Sequence, residues 1–166
     1  MRISILNSDK LQAATLALRG FDREMQGQVR RATKLIGQPE WQSAVRGQTS
    51  TRMESVVLAD TARMQVSNQN VMLKSAAVGR ARSGGAKPSQ LASGVEFGAN
   101  PKRATFTGMS KRGKRYRQTR NVHAQFRAPN RQGNAVYPAA AKMIPRFAAL
   151  WTQTVVRTFY ETWERR

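Results

Sequence analysis

The chain has 166 residues, enough for one domain with its own core, and carries 29 Lys and Arg against nine Asp and Glu, a net charge of +20. It contains no cysteine and a single histidine, His123, which excludes disulfides, thiolate metal sites, a cysteine nucleophile, and a zinc cluster or triad built on histidine. No run of 18 apolar residues is present, and "MRISILNSDK" lacks the apolar middle and small-residue cleavage site of a signal peptide, so a soluble protein without a membrane span is expected.

From the N-terminus, Asn7 or Ser8 is placed to cap a helix, and Leu11, Ala14, Leu18, Phe21, Met25, Val29, Ala32 and Ile36 follow at steps of three and four. This spacing predicts a helix over 7–37 with Gly37 as its stop. Its apolar stripe requires a partner: a sheet, another helix or a neighbouring subunit. Pro39 suits the first position of a short helix over 39–47, with Trp41, Ala44 and Val45 turned to the core.

Residues 54–98 read as a strand region. "SVVLAD", "TARMQV" and "NVMLKSA" predict two or three antiparallel strands with a hairpin near Asn68. "RARSGGAKPSQ" reads as a flexible loop, and "SGVEFGAN" as a short strand between Gly94 and Gly98. From 100 to 134 the chain is basic, Gly-containing and poor in aliphatics, which predicts an extended basic loop. Pro145 then opens a C-terminal helix over 144–164, whose apolar positions include Phe147, Leu150, Trp151, Val155, Phe159 and Trp163. The expected fold is a single α+β domain: long N-terminal and C-terminal helices packed on a small, mostly antiparallel β-sheet, with a long basic loop.

The charge is unevenly placed. Between Asp60 and Glu161 the sole acid is Glu96, whereas residues 61–160 hold eighteen Lys or Arg. Six cations fall within "TGMSKRGKRYRQTR": Lys111, Arg112, Lys114, Arg115, Arg117 and Arg120. The segment "GMSKRGKR" approaches a phosphate-loop pattern but puts Arg115 where a magnesium-binding hydroxyl belongs, and no acid follows before Glu161. Asp22 and Glu24 fall on different sides of a helix, Glu161 and Glu164 belong to a solvent-facing terminus, and the serines lack a base. An enzyme is therefore not expected, nor a cofactor. The basic segment has two functional readings. As a nucleic-acid element it would neutralise phosphates, with Phe106 and Tyr116 available to stack on bases. As an assembly element it would order on docking to an acidic neighbour.

Val95, Glu96, Phe97 and Gly98, followed by Tyr137, Pro138 and an aromatic closing helix, resemble the "EFG" strand end and C-terminal segment of the head-tail connector and tail-completion proteins of long-tailed bacteriophages. The resemblance spans roughly 55–164. It implies a small α+β structural subunit of the phage neck, in a connector, tail-completion or tail-terminator ring. Such a virion protein would be made in the bacterial cytoplasm, assemble with itself, usually as a hexamer, touch adjacent neck and tail-tube proteins, and line the DNA channel. In this reading Lys111, Arg112, Lys114, Arg115, Arg117 and Arg120 contact DNA or another subunit, and Phe97, Phe147, Trp151 and Phe159 are structural. The alternative is a non-specific nucleic-acid-binding protein.

Overall fold

Val29, Thr33, Gly37, Trp41 and Val45 are buried at successive steps of four along helix α1, Arg23–Gln48, and this stripe is the axis around which the rest packs. The computed structural model describes residues 1–4, 16, 19–20, 23–81 and 84–164; Leu11, Ala14, Leu18 and Phe21 of the expected helix over 7–37 lie outside them. Neither end of the expected 37–39 break exists. Gly37 and Pro39 are both interior to α1, so the helices expected over 7–37 and 39–47 are not separate. Pro39 is exposed, as is Leu35, whose carbonyl is the one left without a helical N–H partner by the proline. Ile36, expected on the buried stripe, is exposed.

Gly37 is a point of close approach. A Cβ there would stand 2.6 Å from the Met64 sulfur on one side and 3.4 Å from the Phe147 ring on the other. The missing side chain lets α1 lie between the sheet and the C-terminal helix.

The sheet has the order β1-β3-β2, all antiparallel, with β1 (Arg2–Ser4), β2 (Arg63–Val66) and β3 (Val71–Lys74). Val71 and Leu73 alternate inward on β3, and Met64 pairs with Leu73 across the ladder. The hairpin forms where expected. Ser67 N–H donates to the Asn70 carbonyl, and the Ser67 hydroxyl accepts from Asn70 N–H. α1 is tied to the sheet by Trp41 Nε1, which donates to the Lys74 carbonyl at 3.1 Å. The Gln38 amide adds two bonds, accepting from Met64 N–H and donating to the Ala62 carbonyl, and so occupies the edge of β2 as a neighbouring strand would.

Two stretches expected as strand are helical. Thr51 and Glu54 form a capping box that starts α2 (Arg52–Glu54), which runs on as a π-helical turn over Ser55–Ala59. That turn buries Val57, Leu58 and Ala59, so "SVVLAD" is not a strand. "SGVEFGAN" closes α3, Pro88–Phe97, with Pro88, Ala92, Val95 and Glu96 buried at helical spacing. α4 runs Val136–Trp163, eight residues ahead of the expected 144 start, with Pro145 in its exposed interior and Pro138 in its first turn, where its missing N–H costs nothing.

Two glycines of α1 should respond oppositely to substitution. Gly37→Leu, overpacked between Met64 and Phe147, is expected to lose about 1–3 kcal/mol in urea unfolding. Gly47→Ala, with nothing within 4 Å of the new methyl, is expected to gain about 0.4–1 kcal/mol.

Candidate functional site

The stretch from 100 to 134 is not a loop throughout. Most of it is a two-stranded antiparallel ribbon, β4 (Lys102–Met109) and β5 (Arg115–Val122), closed by the turn Ser110–Lys114 with Gly113 at φ +77°. The register runs from Lys102 opposite Val122 to Met109 opposite Arg115. Alternation of side chains along each strand then sorts the ribbon into two chemically different faces. One face bears Arg103, Thr105, Thr107 and Met109 on β4 and Arg115, Arg117, Thr119 and Asn121 on β5, and the Thr105 and Thr119 hydroxyls meet across it at 3.0 Å. The other bears Lys102, Ala104, Phe106, Gly108, Tyr116, Gln118, Arg120 and Val122, with a shallow groove of about 300 Å³ lined from Phe106 to Gly108 and from Tyr116 to Val122.

The six cations singled out in sequence are thus distributed, not clustered. Lys111, Arg112 and Lys114 occupy the turn, Arg115 and Arg117 the threonine face, and Arg120 the aromatic face. Every residue from 111 to 121 is exposed. Arg103 and Lys102, outside the stretch first noticed, join them through strand pairing alone. Among the described residues none of these cations has a carboxylate within 4 Å; the ion pairs are Arg46 with Asp60, Arg127 with Glu54, and Arg157 with Glu161.

The base of the ribbon is held by a polar latch. Glu96, wholly buried near the end of α3, accepts three backbone N–H bonds at the start of α4: from Ala135 at 3.2 Å and Val136 at 2.9 Å on Oε2, and from Tyr137 at 3.0 Å on Oε1. Its carboxylate supplies the N-terminal cap that α4 lacks locally and complements the positive end of the helix dipole. The Glu96 carbonyl also accepts from Asn134 N–H at 2.8 Å, and the Phe97 carbonyl from Asn130 N–H at 2.8 Å. Gly98, at φ +71°, lets the chain leave α3 against the carbonyls of Arg127 and Ala128, where any Cβ would collide. Ala99 N–H then donates to the Arg127 carbonyl at 3.0 Å, and Arg127 Nε reaches the buried Glu54 carboxylate at 3.6 Å. The strands therefore leave and return through one fixed gate.

Of the four residues expected to be structural, Phe147 and Trp151 are fully buried on α4, and Phe97 is half-buried with its ring 5.4 Å from that of Tyr137. Phe159 is not a core residue. It is 45% exposed and stacks on Trp163 at 6.2 Å on the outer end of α4. His123 sits at φ +67° where β5 ends, its ring 5.9 Å from Phe126. No described helix is long and apolar enough to cross a membrane. Sequence reasoning missed the capping role of Glu96, although its isolation among so many cations marked it.

Compared with protein-family models, curated proteins and solved structures, the chain gives no match.

Removing the latch has a defined cost. Glu96→Ala leaves two buried donors and one partly buried donor without their charged acceptor and is expected to lose about 2–3 kcal/mol by chemical denaturation. Glu96→Gln, which keeps one acceptor oxygen, should lose about half as much. Glu96→Ala should also speed tryptic cleavage after Arg127 and Arg131, which the latch holds in place.

Proposed function

We propose that the protein is a structural subunit of a bacteriophage neck ring, a head-tail connector, tail-completion or tail-terminator component that joins capsid to tail and lines the DNA channel. The ribbon is the observation that carries this reading. A two-stranded hairpin without a covered apolar face is marginal in water, and this one exposes its tip and most of both strands above a hydrogen-bonded base. Such an element gains its stability by lying against something else, as an arm between subunits or into a channel does.

Two further features support it. The residues that carry the resemblance, Glu96 with Phe97 and Gly98 on one side and Tyr137 with Pro138 on the other, lie 41 positions apart and form one latch. The helices also present apolar side chains outward: Leu35 and Ile36 on α1, and Phe159, Tyr160 and Trp163 at the end of α4. A head-to-tail contact between such faces closes into a ring when the rotation between copies permits. The partners are then other copies of this chain, a hexamer by the resemblance, together with the neighbouring neck and tail-tube proteins. The carboxylates buried in the body, Glu54 and Glu96, hold backbone N–H groups, and no catalytic role or cofactor is proposed.

Substitution of Lys111, Arg112, Lys114, Arg115, Arg117 and Arg120 by Ala together touches no buried position, so the subunit should keep its circular dichroism spectrum and melting profile. Heads and tails should accumulate unjoined. Normal yields of infectious particles from that variant would refute a role for the ribbon. In solution, discrete rings that survive moderate salt are expected by light scattering and electron microscopy, whereas a monomer at all concentrations would favour the nucleic-acid-binding alternative.

A further inference from the structure

The ribbon carries eight cations between Lys102 and Arg120 and no acid. The chain cannot supply their counter-charges from another copy of itself. Of its nine acids, Glu54 and Glu96 are buried and bound to backbone, and Asp60 and Glu161 are paired with Arg46 and Arg157. That leaves at most five (nine minus four) for eight ribbon cations, before any other Lys or Arg is considered. Packing copies together around these arms concentrates positive charge, which favours a polyanionic partner.

We infer that the ribbon is a duplex-DNA arm: Arg103, Arg115 and Arg117 on its threonine face, continued by Lys111, Arg112 and Lys114 at its tip, hold phosphates without regard to sequence. The inference deepens the channel-lining reading and rests on it for the identity of the duplex as a genome in transit; the binding itself is a property of the isolated chain.

Three observations favour a duplex backbone over single-stranded bases or an acidic protein patch. First, the cations run the whole length of the strands, about 26 Å at 3.3 Å per residue, a span along which a duplex presents roughly 15 phosphates. An acidic protein patch is local, whereas this charge is spread out. Second, the face with most of the strand arginines carries three threonine hydroxyls and the Asn121 amide and no aromatic ring, a set suited to phosphate oxygens, with Met109 its one large apolar side chain, beside the turn. A two-stranded ribbon also has the width that the major groove admits. Third, one of the two aromatics on the opposite face, Tyr116 beside Phe106, has a structural explanation. Tyr116 lies over Gly108, where a Cβ would stand 2.7 Å from its ring, so it covers the gap left by a cross-strand glycine. The charges have no such internal explanation.

Fluorescence anisotropy of the full chain on a mixed-sequence duplex of about 30 base pairs, titrated from about 50 to 200 mM salt, reads both affinity and its salt slope. Replacing Arg103, Arg115 and Arg117 by Ala should lower the slope by about 2–3 and weaken binding at least about tenfold at low salt. Replacing Lys34, Lys142 and Arg146, exposed cations of α1 and α4, should change affinity about twofold or less, and so should Phe106→Ala. Equal losses from the two triple variants would overturn the inference, because general charge would then suffice. So would tighter binding of a single strand that Phe106→Ala abolishes, or equal competition by a charge-matched polyglutamate, which would assign the ribbon to an acidic protein. Light scattering on the same samples separates this inference from the neck reading. Rings whose DNA binding ignores the ribbon defeat the inference alone, and ribbon-dependent binding by a permanent monomer defeats the neck reading alone.

Discussion

The carboxylate of Glu96 at the start of α4 is the interaction on which the rest of the structure depends. Its three hydrogen bonds to Ala135, Val136 and Tyr137 join the end of one helix to the beginning of another across 39 to 41 residues of chain. Everything between those points is the ribbon and its return path. A buried carboxylate is tolerated only where its lone pairs are filled, and here the free N–H groups of a helix end fill them while the helix dipole offsets the charge. The same junction requires Gly98, because the backbone passes too close for any side chain. One buried acid and one glycine thus convert a long connection into an arm with a fixed point of attachment.

The arm contrasts with the body in every physical respect. The body is held by a continuous apolar core running from Val29 through Trp41 and Leu73 to Phe147 and Trp151, with the Gln38 amide and the Trp41 indole N–H securing α1 to the sheet. The ribbon has its ladder, one threonine pair and a tyrosine over a glycine. Its cationic surface repels its own copies. An element so held at its base and so exposed along its length points to a partner outside the chain, and in the proposed ring that partner is the DNA that passes through, with neighbouring subunits brought together by the exposed apolar residues midway along α1 and at the end of α4.

Much of the α+β arrangement was legible from spacing alone: the long helices, the hairpin at Asn68 and the burial of Phe147 and Trp151. The errors have distinct physical causes. Proline and glycine at 37–39 looked like a helix boundary, but the proline faces solvent and the glycine marks a three-way contact that only the fold creates. "SVVLAD" has strand composition, yet the capping box of Thr51 and Glu54 just upstream nucleates a helix that carries through it. "SGVEFGAN" is rich in small residues, so its i, i+4, i+7 and i+8 burial pattern is visible only when Pro88 is counted as the first turn. The ribbon was hidden because two exposed strands have no apolar alternation to reveal them. The cations were legible as a group; their division between two faces and a turn depends on register, which sequence does not state.

Hydrogen–deuterium exchange on the free subunit, read residue by residue, tests the central claim most directly. The amides of Ala135, Val136 and Tyr137 should exchange only through global unfolding, together with those of the β2–β3 pairing, while the β4–β5 amides exchange orders of magnitude faster and slow once the arm meets its partner. Fast exchange at Ala135 to Tyr137, or ribbon amides as protected as the core in the isolated subunit, would contradict an arm that stands free on a buried carboxylate latch.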